Sequence, residues 1–208
     1  MTTHLKSTNK LEKLIPDHTY HIYNKAIGSD KLFTTHEDYH YFLQKINRFL
    51  LPVVDLISYC LIPNHFHMLV DIKAYDKLPI KLLRRYTEEP ELYVNQVFSN
   101  FFNSYTKSFN KAHERAGRLF LYPFKRISVE DEDYLTYLIN YIHRNPVHHG
   151  LTKSFWEWRY SSYQAIISDK PTKVNRELAL SLFGSKSEFI SFHKENVTKP
   201  EIRSYLLE

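Results

Sequence analysis

One stretch constrains the fold more than any other: Pro63-Asn64-His65-Phe66-His67-Met68-Leu69-Val70. A proline–asparagine break leading into a run of apolar residues reads as a tight turn and the start of a strand. Successive side chains on a strand point to opposite faces, so His65 and His67 share one face while Phe66, Met68 and Val70 share the other. One face can enter a core. The other carries two imidazoles on a rigid frame, which is half of a metal site or, equally, a pair of partly buried polar residues. The choice depends on what else the chain brings to that face.

The segments around this strand suggest its partners. Residues 18–27 are rich in aromatic and β-branched side chains and read as a first strand, broken by Gly28. Thr35 is placed to cap a helix whose apolar positions Tyr39, Phe42, Leu43, Ile46, Phe49 and Leu50 recur at helical spacing up to Pro52. Residues 53–62 form a second strand, joined through Pro63 and Asn64 to the histidine strand as a hairpin. A polar excursion over 73–90 follows, with a short helix expected over 80–86. A long helix is expected over 91–114, with Leu92, Val97, Phe98, Phe101, Phe102, Tyr105 and Phe109 in its apolar stripe. Residues 119–129 read as a fourth strand, kinked or at an edge because of Pro123. Strand, helix, strand, strand, helix, strand is the order of the ferredoxin-like split βαβ fold, an α+β class in which two helices cover one face of an antiparallel sheet. Acidic residues 130–132 then introduce a third helix over 133–145, which Pro146 is expected to end or distort. An aromatic segment over 155–163 and two short helices near 177–183 and 186–196 complete the chain. The expected organisation is an arm over 1–16, one domain over 17–165, and a C-terminal helical extension over 166–208.

Composition narrows the function classes. Four glycines leave no phosphate-cradling loop, and the lone cysteine, Cys60, cannot form an internal disulfide and sits in an apolar strand, where it reads as core. No run is apolar enough to span a membrane, and residues 1–10 lack a signal-peptide core, so a cytoplasmic location and no membrane partner are expected. A net charge of +5 is compatible with a polyanionic partner. No His-Glu-x-x-His helix is present, which argues against a metalloprotease.

On the third helix Tyr141 and Asn145 are four residues apart and share a face. A phenol can act as a covalent nucleophile and an amide oxygen as a hard metal ligand. Were this helix to dock on the histidine face, His65, His67 and Asn145 could hold one divalent ion with Tyr141 one turn away. The same residues can equally be an amphipathic helix face and a helix end. His143, His148 and His149 are spare ligands by type, each read as solvated.

The histidine motif resembles the HUH motif (histidine, hydrophobe, histidine) of single-tyrosine, single-strand-specific transposases, and Tyr141-Ile142-His143-Arg144-Asn145-Pro146-Val147 resembles the tyrosine helix of that family. Tyr20-His21-Ile22-Tyr23-Asn24, residues 117–126 and residues 158–163 also fit, most closely the branch associated with repeated extragenic palindromes. The resemblance covers about residues 19–163. It implies His65 and His67 as metal ligands, Tyr141 as nucleophile and Asn145 as third ligand, where many relatives carry glutamine; Tyr137 is the alternative nucleophile. It also implies Mg²⁺ or Mn²⁺ as cofactor, a DNA hairpin as partner, and cleavage and rejoining of single-stranded DNA through a 5′-phosphotyrosine. Relatives include dimers that exchange the tyrosine helix and monomers, so a homodimer or a monomer is expected.

Candidate phosphate contacts are Lys107, Lys111, Arg115, Arg118, Lys125, Arg126 and Arg144. Each alone reads as a surface charge. The run over 107–126, with its interleaved aromatics, fits a groove that tracks a strand. Two rival readings share the fold: a non-catalytic module that binds hairpin DNA or RNA, and a metal-dependent hydrolase without a covalent step.

Overall fold

The computed structural model describes residues 12–79 and 89–195. The short helix expected over 80–86 lies outside the described residues, as does most of the N-terminal arm. Four strands, β1 (Thr19–Lys25), β2 (Val54–Ile62), β3 (His65–Ile72) and β4 (Lys125–Ser128), form one antiparallel sheet in the order β2-β3-β1-β4. Helix α1 (His36–Lys45) joins β1 to β2 and helix α2 (Pro90–Ala112) joins β3 to β4. This is the split βαβ arrangement expected from the element order. No described helix is long and apolar enough to cross a membrane.

Local chemistry sets the element ends. Thr35 caps α1, and the Asp38 carboxylate accepts from the Thr34 and Thr35 backbone N–H groups, each at 2.8 Å. The helix runs on as one π-helical turn, Ile46–Leu50, and stops before Pro52. The Pro63–Asn64 turn is anchored from outside. The Pro63 carbonyl accepts from Leu32 N at 2.7 Å, and the Asn64 carbonyl from Ala26 N at 2.8 Å.

Both helices lie on the face to which Phe66 points. Phe66 packs on Phe42 of α1 and Phe102 of α2, with ring centroids 5.2 and 5.9 Å away, and Phe42 meets Phe101 at 5.0 Å. Described residues of the arm close the end of this layer. Leu14 is buried, and Tyr20 Oη donates to the Lys13 carbonyl at 2.8 Å.

Three expectations are corrected. Leu92, expected in the apolar stripe of α2, is exposed in its first turn, while the later members of the stripe are buried. The fourth strand is confined to Lys125–Ser128, with residues 119–124 making a single bridge, Ala26 to Phe120. Pro123 has no N–H to give to a ladder, so regular pairing starts only after it. Helix α3 (Glu132–His148), capped by Asp131, does not end at Pro146 but passes through it. Proline there removes one N–H near the end of the helix, and the following donors stay paired, His149 N to Asn145 O at 3.1 Å and Leu151 N to Pro146 O at 2.8 Å. Burial of Asn145 and Pro146 offsets the local cost.

Helix α3 docks on the second face of the sheet, against β2 and β3. The aromatic segment 155–163 lines the outer edge of β2. Leu61 N donates to Tyr160 O at 3.0 Å, Ser162 N to Tyr59 O at 2.9 Å, and Trp158 Nε1 to Leu61 O at 2.9 Å. An edge that would otherwise offer free backbone groups is thereby covered. Helix α4 (Tyr163–Ile167) leads into the extension, whose α5 (Arg176–Ser181) packs on α4 and β2 and whose α6 (Lys186–Lys194) packs behind α3 and buries Phe189 and His193.

Phe66 is fully buried at the junction of sheet and helices. Phe66→Ala is expected to lower the unfolding free energy by about 3–5 kcal/mol, read from guanidinium titration. A loss under about 1 kcal/mol would contradict this packing.

Candidate active site

The alternation of β3 puts His65 and His67 on the face away from Phe66, with ring centroids 5.2 Å apart. Helix α3 brings the two residues expected to meet them. Asn145 Oδ1 faces His65 Nε2 at 3.0 Å, and Asn145 Nδ2 donates to Tyr141 Oη at 3.1 Å. The Tyr141 ring meets His67 edge-on at 5.5 Å and stacks on His148 at 5.4 Å. All four residues singled out in the sequence therefore converge, and they do so within one chain. Tyr137 is turned elsewhere, with its ring on Phe192 of α6 at 5.2 Å.

Two further residues belong to the site and were not foreseen in it. His21 on β1 reaches diagonally across the sheet, its Nε2 lying 2.9 Å from His67 Nδ1. Asn64 turns its Oδ1 to His65 Nδ1 at 3.0 Å. Tyr23 sits opposite His67 in the ladder and stacks on both His21 and His67. Alternation along β1 places His21 on the face of Tyr23, but only the register of β1 against β3 brings it to His67.

Burial governs the electrostatics. It pushes His65 down to about 4, with His149 nearby adding to the effect, and His21 down to about 3. His67 is held well below the ordinary histidine value, first by burial and then by the neighbouring histidines. The rings are neutral near pH 7, and each carries one proton.

That single proton tests whether the site suits a cation. His65 faces an amide oxygen at each nitrogen, Asn64 Oδ1 and Asn145 Oδ1, and can donate to only one. With the proton toward Asn64, two lone pairs face each other between His65 Nε2 and Asn145 Oδ1. Turning the Asn145 amide over would relieve this, and so would a cation between the two atoms. Neighbouring ligands of an octahedral ion at about 2.1 Å lie about 3.0 Å apart. A cation would also give a partner to His67 Nε2, which is buried and has no hydrogen-bond partner. Among the described residues no cluster of three or more His, Cys, Asp or Glu is placed to hold a metal. The donor set here is two imidazoles and an amide, and it fits a divalent ion.

The expected basic groove is divided. Lys107 and Lys111 are exposed on α2, in the layer behind the sheet from the histidines, because the inward face of that helix is taken by its aromatics. Arg118 and Lys125 are also exposed. The other three guanidinium groups have partners within the chain. Arg115 pairs with Asp30 and donates to Arg118 O at 2.7 Å. Arg126 bonds Asn95 and lies over Phe124. Arg144 donates to Asn140 Oδ1 at 3.0 Å and to His193 O at 2.6 Å.

His143, expected in solvent, is fully buried: its Nδ1 lies 2.8 Å from His193 Nε2, and its Nε2 accepts from Ser162 Oγ at 2.8 Å. The extension supplies His193, which sequence spacing does not connect to α3. His148 and His149 are exposed, as expected.

No protein-family model matches the sequence, and no curated protein matches it. In structure the chain is similar to a REP-associated tyrosine transposase solved bound to a REP hairpin, with TM-score 0.56 and 16% identity over 79% of this chain and 88% of that one. A likeness at this identity establishes the fold, which is the one the sequence motifs pointed to.

The buried neutral histidines carry a pH signature. His65 and His193 titrate at about 4 when folded and His21 at about 3. In the unfolded chain a histidine titrates near about 6.5. Between these values the unfolded state binds more protons, so stability falls as pH drops from about 6.5 to about 4 and is level above about 7. Urea midpoints measured from pH 4.5 to 8 in EDTA should show this slope, and His193→Phe should reduce it. An unchanged midpoint across the window would contradict it.

Proposed function

We propose that this protein cleaves and rejoins single-stranded DNA beside a hairpin, through a covalent 5′-phosphotyrosine on Tyr141. The observation that carries the reading is the chain of contacts from Tyr141 Oη to Asn145 Nδ2 (3.1 Å) and from Asn145 Oδ1 to His65 Nε2 (3.0 Å), beside the unpartnered Nε2 of His67. A nucleophile is thus tied by one amide to the histidine face. The hairpin-bound structural neighbour supports DNA hairpins as the substrate class.

His65, His67 and Asn145 would hold the ion, Mg²⁺ or Mn²⁺. When bound it supplies a Lewis acid that offsets charge on a non-bridging oxygen of the scissile phosphate. Tyr141 Oη attacks phosphorus, the new O–P bond forms, and the bond to the 3′ oxygen breaks. The phenol proton is lost and the departing 3′ oxygen gains one. Asn145 Nδ2 donates to the phenol oxygen and so favours negative charge there as the proton leaves. The Tyr141 ring rests edge-on against the buried His67 ring at 5.5 Å, which covers that side of the nucleophile. The phosphotyrosine retains the energy of the broken phosphodiester, so a second 3′-OH can rejoin without a nucleotide cofactor. Because α3 docks on the sheet of its own chain, one subunit suffices to assemble these residues.

The test is incubation with end-labelled hairpin DNAs from the sequence flanking its own gene, with Mn²⁺, resolved on a denaturing protein gel. A DNA-linked protein band is expected, absent with a chelator and reduced at least about 10³-fold in Tyr141→Phe. Cleavage without a band would replace this reading with a hydrolase. Hairpin binding with neither would leave a recognition module.

A further inference from the structure

We propose that His21 is a positioning residue that holds His67 in the tautomer able to bind a divalent cation. The inference rests on the reading above, in which His67 is a ligand.

His21 is buried at the centre of the sheet, and one of its ring nitrogens, Nε2, lies 2.9 Å from His67 Nδ1. At that distance the two atoms share one proton, and two arrangements are open. In the first, His67 Nδ1–H donates to His21 Nε2. His67 Nε2 is then a lone pair, and the second proton sits on His21 Nδ1. In the other, His21 Nε2–H donates to His67 Nδ1, and His67 Nε2 carries a proton and cannot ligate.

Without an ion the two are nearly balanced. His21 Nδ1 and His67 Nε2 are both buried without a hydrogen-bond partner, so either arrangement leaves one donor and one lone pair unmet. A cation at His67 Nε2 removes the balance, because only the first arrangement offers it an electron pair. His21 is therefore the acceptor that the ligating form of His67 requires, and its hydrogen bond makes Nε2 more basic.

Geometry keeps the pair in place. Tyr23 stacks on His21 at 4.7 Å and on His67 at 5.7 Å, and the two imidazoles lie edge to edge across their hydrogen bond, centroids 5.1 Å apart and planes within 19°. The rings cannot swing without breaking the Tyr23 stacks or the hydrogen bond between them. On His65 the corresponding part falls to Asn64, whose Oδ1 faces Nδ1 at 3.0 Å and leaves Nε2 to turn toward Asn145.

The test measures metal binding and ring protonation, not strand transfer. Mn²⁺ affinity is measured by electron paramagnetic resonance for wild type, His21→Phe and His21→Gln, with folding followed by circular dichroism. Phenylalanine keeps the ring and loses the acceptor, whereas glutamine supplies an amide oxygen. His21→Phe should bind Mn²⁺ about 10- to 100-fold more weakly, and His21→Gln should recover part of the loss. In parallel, two-bond ¹H–¹⁵N spectra of the wild type with Mg²⁺ should place the protons on Nδ1 of both His67 and His21.

Equal affinity in His21→Phe and wild type would overturn the proposal, as would a proton on His21 Nε2 in the Mg²⁺ form. Equal loss in both variants with folding retained would overturn it too. Failure of the wild type itself to bind Mn²⁺ would instead remove the metal reading beneath it. The two failures are thereby distinguishable.

Discussion

Both faces of β3 are buried, and the alternation of its side chains assigns each face a different task. Phe66, Met68 and Val70 enter the aromatic layer under α1 and α2. His65, His67 and Leu69 are equally enclosed, yet two of them are polar. Buried imidazoles need partners, because an unmet donor or acceptor in the interior costs about 1–3 kcal/mol. The second face gathers polar partners around them, and leaves His67 Nε2 and His21 Nδ1 without one. β1 contributes His21, the turn contributes Asn64, and α3 contributes Asn145, which carries Tyr141 along with it.

Helix α3 is fixed from behind as firmly as from the front. His193 Nδ1 donates to Phe189 O at 2.8 Å, so its Nε2 accepts from His143 Nδ1 at 2.8 Å. His143 Nε2 then accepts from Ser162 Oγ, and Ser162 Oγ accepts from Tyr59 N at 2.9 Å. Every proton in this chain has one consistent direction, from the β2 backbone to the backbone of α6. Arg144 adds a hydrogen bond to His193 O and lies over Phe155. The described part of the C-terminal extension thus braces the helix that bears Tyr141 from the side away from the histidines. Such networks are worth more than their separate bonds, because each polarises the next in a low-dielectric setting.

The distribution of charge follows the same economy of partners. Arg115, Arg126 and Arg144 hold loops and helices in place, which leaves Lys107, Lys111, Arg118 and Lys125 as the members of the candidate set in solvent. Guanidinium groups suit the internal role, with several fixed donors and a flat face for stacking. Of these, Lys107 and Lys111 lie on the opposite layer from Tyr141.

The sequence alone determined the element order, the two-faced character of β3 and the pairing of Tyr141 with Asn145 on one helical face. These are local properties. The period of a strand is two and that of a helix near four, and both survive any packing. It also marked Thr35 as a cap and Pro63–Asn64 as a turn, since capping and turn chemistry act within a few residues. Tertiary structure decided the rest. Strand register brought His21 to His67, because a diagonal contact depends on the alignment of two strands distant in sequence. Packing against the sheet carried α3 through Pro146, overriding the local preference of proline to end a helix. Docking of the extension buried His143 and engaged Arg144, residues whose types read as solvated until the partner that encloses them, at the far end of the chain, is in place.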